Sequence, residues 1–256
     1  MNSVIASNLV LTTGSAGEDP DIVISRSADR LHPVSREALA EHVGDIRLIE
    51  PDDIAELPIP PLPLLRAIGP VASTTEEIVA APTHAWSVIL RTPLDAAVSA
   101  NYAARAAAAL LADHVDGIGI DLAIPRVWPQ LHPDADPART ADWFVFERES
   151  DDKHVATTTR GMSRFGLPEL AVVEVEPTEV PAWDAILTGV ARRLLSVDPT
   201  DLPDQVELGL RDIADGYAEP VDPDDPTLQR RTTVDLAYGG EIAEVTGPAV
   251  ADLFIG

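Results

Sequence analysis

Apolar and polar positions change period several times along the 256-residue chain, and each change marks an element. Val4 to Thr12 and Ile22 to Ser25 read as short strands on either side of a polar turn, Gly14 to Pro20. Ser35 is placed to cap a helix running to about Val43, and Asp45 to Glu50 reads as another strand. Glu56 to Pro70 carries Pro58, Pro60, Pro61, Pro63 and Pro70, whose fixed φ and missing N–H groups argue against helix and central strand. Its Ile59, Leu62, Leu64, Leu65 and Ile68 predict a connection laid against the body of the protein rather than a free polyproline II ligand. Thr74 and Glu77 have capping-box spacing for a short helix that Pro82 ends.

From Ala85 the periods are clearer. Trp86 to Arg91 is a strand, a helix runs from Pro93 to about Val115, and Gly117 to Ile124 returns as a strand with Ile118, Ile120, Leu122 and Ile124 alternating. Strand, long helix and strand in this order predict a βαβ unit. After a polar loop from Gln130 to Thr140, Trp143 to Glu149 and His154 to Thr159 predict a hairpin around Ser150 to Lys153. Ala171 to Val175 is a strand. Pro181 to Ser196 is an amphipathic helix with Trp183, Ile186, Leu187, Val190 and Leu194 on one face. Val206, Leu208 and Leu210 fit strand and helix equally, whereas Thr232 to Tyr238 and Glu241 to Val245 flank Gly239-Gly240 as a two-residue hairpin does. The sum is an α+β fold: a mixed or antiparallel sheet with helices mainly on one face and a ferredoxin-like split βαβ at its centre. Residues 1–82 are expected to form an N-terminal α/β elaboration with a Pro-rich connection, and residues 83–256 the main domain.

The stretch Thr157 to Leu170 organises the second half, because two glycines and a proline force a sharp turn between two strands. Gly166 can take a positive φ, Pro168 keeps Leu167 out of helical geometry, and Phe165 is the large side chain available to anchor the turn. Gly161, Met162, Phe165, Gly166, Leu167 and Pro168 are therefore read as a structural motif. Arg160 and Glu169 flank it and are the candidate binding residues. A pair between them across the turn would be exposed and worth about 1 kcal/mol or less.

Gly161 to Leu170 resembles a motif of a family of uncharacterised bacterial α+β proteins, a domain of unknown function, in which Gly-Met or Gly-Leu leads into Phe-Gly-Leu-Pro-Glu-Leu. The resemblance extends in layout from about Thr83-His84 through the Ala-rich helix, the Asp121 strand and Trp143 to about Ser196. It implies an α+β fold and no particular activity. Members often carry His-Thr-His-Gly where this chain has Thr158-Thr159-Arg160-Gly161. Both imidazoles are absent here, which favours a structural role for the motif.

Charge narrows the partners. There are 43 Asp and Glu against 18 Lys and Arg, a formal net charge of −25, and Lys153 is the single lysine. Such a surface repels phosphate backbones and anionic lipid and attracts basic protein, so neither nucleic acid nor membrane is an expected partner. The absence of cysteine removes disulfides, thiolate metal sites and thiol catalysis. Met1 to Ala6 has no targeting pattern, and Leu94 to Val115 is interrupted by Asn101, Arg105 and Asp113, so a cytoplasmic location is expected.

The candidates for chemistry are few. His132, Asp134 and Asp136 lie in one loop, without the spacing of a matched metal site. Asp121 is read either as a carboxylate near the C-terminal end of a parallel strand, a common catalytic position, or as the solvent-facing member of an alternation. Asp222, Asp224 and Asp225 lack the glycine turn of a calcium loop. No phosphate loop, nucleophile elbow or His-Glu-x-x-His is present, and no cofactor or metal is expected. The first functional expectation is a non-catalytic acidic protein that binds a basic protein. The alternative is a hydrolase with a carboxylate-bound metal near His132 or Asp121.

Overall fold

The computed structural model describes residues 3–128, 133–151, 153–247 and 251–254. The chain divides into two compact units, Met1–Pro137 and Ala138–Gly256. Each is built on its own sheet, and the fold is α+β.

The first unit contains β1 (Ser3–Thr12), α1 (Pro20–Ser27), α2 (Pro33–His42), β2 (Arg47–Ile49), α3 (Leu62–Ile68), α4 (Ser73–Ala80), β3 (His84–Pro93), α5 (Ala97–His114), β4 (Ile118–Asp121) and β5 (Arg126–Val127). Its strand order is β2-β3-β1-β4-β5. β1 is antiparallel to β3 from Ser3↔Pro93 to Thr12↔His84, and antiparallel to β4 on its other side. β3 and β4 therefore run parallel, joined by α5 and separated by β1. This is the split βαβ that the periodicity predicts. The alanines of α5 let it lie against β1 and β3 with nearly its whole surface buried.

Three local expectations are corrected here. Ile22 to Ser25 is helical: Asp19 caps α1 by accepting from Asp21 N at 2.9 Å, Pro20 fits the first turn, and Val23 and Ile24 are buried. The proline-dense segment contains a helix, because Pro63 falls in the first turn of α3, where a missing N–H leaves no bond unmade. Ser35 and Thr74 cap nothing: α2 starts at Pro33 after His32, and α4 starts at Ser73 after Ala72.

The proline-rich connection does lie on the sheet. Leu65 and Val79 join Leu9, Leu11, Ala85 and Ile120 in one buried cluster, with Ile54, Leu57, Ile59 and Leu62 packed against it. That burial, with the full-length β1–β3 ladder, holds residues on both sides of position 82 in one sheet. The division falls at Pro137/Ala138 instead.

The second unit contains β6 (Val145–Ser150), β7 (Val155–Arg160), β8 (Glu169–Val175), α6 (Val180–Leu194), β9 (Gln205–Gly209), α7 (Leu210–Tyr217), β10 (Arg231–Gly239) and β11 (Ile242–Thr246). The strand order is β6-β7-β8-β11-β10-β9, antiparallel except for the central β8–β11 pair. Asp151 Oδ1 accepts from Lys153 N and His154 N, both at 2.7 Å, and closes the β6–β7 hairpin. Gly239 pairs with Ile242, so the β10–β11 loop is Gly240-Glu241, one residue beyond the expected pair.

Alternation sorts the second sheet into two faces. Leu170, Val172, Val206, Leu208, Val234, Leu236, Ala243 and Val245 are buried on one. α6 supplies Trp183, Ile186, Leu187, Val190 and Leu194, all buried, as its stripe predicts.

Candidate functional site

The turn between β7 and β8 is where the sequence signal is densest, and its geometry is a closed circuit of hydrogen bonds. Gly161, at φ 131°, leads into a single 3-10 turn, Met162–Phe165, and Gly166, at φ 71°, ends it in left-handed geometry. The turn starts with three successive backbone N–H groups pointing into one concavity, an arrangement that ordinarily attracts an anion. The anion is supplied from eight residues on. Glu169 Oε1 accepts from Gly161 N at 2.9 Å and from Ser163 N at 3.2 Å, and Oε2 accepts from Met162 N at 3.2 Å. Thr159 Oγ1 donates to Glu169 Oε2 at 2.9 Å and accepts from Leu170 N at 2.8 Å.

The other end of the turn is also satisfied. Arg164 Nε donates to Gly161 O at 3.1 Å, and Gly166 N to Ser163 O at 3.0 Å. Met162, Phe165, Leu167 and Leu170 are buried beneath it. Phe165 meets Trp143 edge to face, with centroids 5.6 Å apart at 77°, and the Arg164 guanidinium stands 5.6 Å from the centre of the same indole. Trp143 is thus the motif's aromatic partner, which its place ahead of β6 did not disclose.

Arg160 and Glu169 are not joined to each other as expected. Arg160 turns to β6, where Nε and Nη2 reach Glu147 Oε1 and Oε2 at 3.1 and 2.8 Å. The hydrogen bond from Arg160 holds the Glu147 carboxyl below its ordinary value, against a smaller opposing effect of desolvation. The hairpin register was the available signal: Val145 pairs with Arg160 and Glu147 with Thr158, so Arg160 and Glu147 are diagonal neighbours.

The opposite face of this hairpin carries a second polar contact that sequence reasoning missed. Arg148 Nη2 donates to Asp184 Oδ2 on α6. Asp184 Oδ1 and the hydroxyl of Thr157, which lies opposite Arg148 in the ladder, are buried without hydrogen-bond partners among the described residues. Burial pushes the Asp184 carboxyl above its ordinary value, outweighing the pull of Arg148.

In the first unit, Asp121 ends β4 and is fully buried, not solvent-facing. Its Oδ1 accepts from Ala123 N at 2.9 Å, so the carboxylate organises the turn into β5. Asp113 pairs with Arg30 at 2.8 Å. Of the loop cluster, His132 lies outside the described residues, Asp134 is exposed, and Asp136 faces His32 at 3.9 Å. Asp225 caps a 3-10 turn through Thr227 N at 2.8 Å, and Asp222 Oδ1 accepts from Asp224 N at 3.0 Å. Among the described residues no three His, Cys, Asp or Glu side chains are gathered so as to hold a metal ion. No described helix is long and apolar enough to cross a membrane.

Comparison with family models, with curated proteins and with solved structures finds no match to this chain.

Proposed function

We propose that the protein is a non-catalytic binding protein whose partner is a basic protein. The observation that carries this reading is the engagement of Glu169. The carboxylate at the heart of the most distinctive motif accepts from three backbone N–H groups and one hydroxyl, so it serves the fold rather than a substrate. Asp121 is likewise committed to a turn. The excess of 43 acidic over 18 basic residues supports a basic partner and disfavours nucleic acid. A cytoplasmic setting belongs to the same reading.

Affinity capture from a native lysate, followed by identification of the bound protein, tests it. The expected result is one basic protein held in near-equal amount and released at about 0.5 M salt, where charge attraction is screened within a few ångströms. Capture of an acidic protein that resists salt contradicts the reading. Elemental analysis provides the second arm: a stoichiometric metal that survives dialysis would select the hydrolase with a carboxylate-bound metal instead.

A further inference from the structure

The second sheet has a face, opposite the α6 stripe, whose described side chains are mostly exposed. Alternation places Glu147 and Glu149 of β6, Thr158 and Arg160 of β7, Ala171 and Val173 of β8, Ile242 and Glu244 of β11, Asp235 of β10 and Glu207 of β9 on the side opposite the α6 stripe. Most of these positions are polar, as a solvated sheet face should be. The middle of the sheet breaks that rule. Val173 is 46% exposed and Ile242 44% exposed, on the two central strands. Ile242 lies opposite Glu169 and diagonal to Ala171, which is buried, and Val173 lies two residues beyond Ala171 on β8, so the three make a diagonal aliphatic strip exposed at its two ends.

Charge around the strip is one-sided. Arg160 is bound to Glu147 at 2.8 Å, and Arg231 lies 3.8 Å from Glu207. Glu149 and Glu244 are exposed, and Asp235 accepts from the neutral Gln205 amide, at 2.7 Å. At the edge of the strip Glu174 holds φ 58° in a bulge opposite Val155 to Thr157, and it too is exposed. An aliphatic centre with a charged rim is the layout of a protein-binding surface.

We infer that this open face of the six-stranded sheet is where the basic partner docks, with aliphatic side chains seated on Val173 and Ile242 and lysines or arginines meeting Glu149, Asp235, Glu244 and Glu174. The inference rests on the proposed function and names its surface. A second copy of this chain does not fit, because it would bring the same carboxylates against each other.

The test uses the full chain, isotope-labelled, and a synthetic hexapeptide, Lys-Leu-Arg-Val-Lys-Leu, with Glu-Leu-Glu-Val-Glu-Leu as its control. The basic peptide is expected to shift the amides of Val173, Ile242 and Glu244, and the acidic one to shift none. Asp235→Arg combined with Glu244→Arg should weaken binding by about tenfold or more, and Val173→Thr with Ile242→Thr by about fivefold. Glu37→Arg, on an exposed position of α2 in the first unit, should change it less than about twofold. Melting curves confirm that each variant is folded. Basic-peptide binding that is unaffected by both double variants overturns this surface and leaves the basic-partner reading in place. No binding of the basic peptide to the parent overturns both.

Discussion

Glu169 closes onto Gly161, its Oε1 2.9 Å from the glycine N–H eight residues earlier in the chain. The bond forms because Gly161 adopts φ 131°, which turns its N–H and the next two toward one point. A side chain at position 161 meets backbone strain in that geometry. Gly161→Ala is expected to cost about 1–3 kcal/mol, read by urea denaturation. An alanine variant as stable as the parent would show that the turn tolerates another conformation.

Phe165 is 1% exposed and packs edge to face on Trp143. Phe165→Ala should cost about 3–5 kcal/mol, since deletion of a buried ring leaves a cavity that close packing fills only in part. Trp143→Leu should remove most of the ring–ring contribution, so the double variant should lose less than the sum of the two singles. Strict additivity in melts of the three variants would separate the two rings energetically.

The two-residue and 3.6-residue periods, with the turn residues between them, were enough to place β3, α5, the β6–β7 hairpin, α6 and the start of β4, which ends at Asp121 rather than at Ile124. They failed where local composition and burial disagree. Prolines between Glu56 and Pro70 argued against a helix, whereas Pro63 falls in the first turn of α3; the burial of Leu65 against the body of the protein is as expected. Ile22 to Ser25 is too short for periodicity to tell strand from helix, and the Asp19-Pro20 start decides it. At the turn, proximity suggested an Arg160–Glu169 pair. The competing demand, three backbone N–H groups without partners, is invisible until the turn is built. That the exposed Val173 and Ile242 stand on adjacent strands follows from the parallel pairing of β8 and β11, which sequence separation hides.

Asp184 gives a signed pH dependence. Burial holds its folded carboxyl above the ordinary 3.8. Stability associated with its protonated form is therefore fully present below 3.8 and is lost as pH rises through the raised folded value. Asp184→Asn removes this titration. Relative to the variant, the parent should lose stability as pH is raised from about 3 to about 7, measured by urea denaturation at stepped pH. A parent that gains on the variant over that range would mean that Arg148 outweighs burial.

Ala218 follows α7 at φ 52°, with its N–H bonded to Asp215 O at 3.1 Å and Glu219 N bonded to Ala214 O at 2.9 Å. Glycine is the residue suited to this left-handed helix end. Ala218→Gly should stabilise the protein by about 0.5–1 kcal/mol, visible as a rise in Tm. A lowered Tm would contradict the assigned helix end.

The central claim is that the Glu169 carboxylate serves the backbone, and one comparison tests it most directly: urea denaturation of Glu169→Ala beside Arg160→Ala. Loss of the carboxylate leaves three N–H groups and the Thr159 hydroxyl without their charged acceptor and should cost about 2–3 kcal/mol. Loss of Arg160 breaks a pair whose side chains are 57% and 53% exposed and should cost about 1 kcal/mol or less. Equal, small losses for both variants would contradict the account and return Glu169 to the list of residues kept for binding or chemistry.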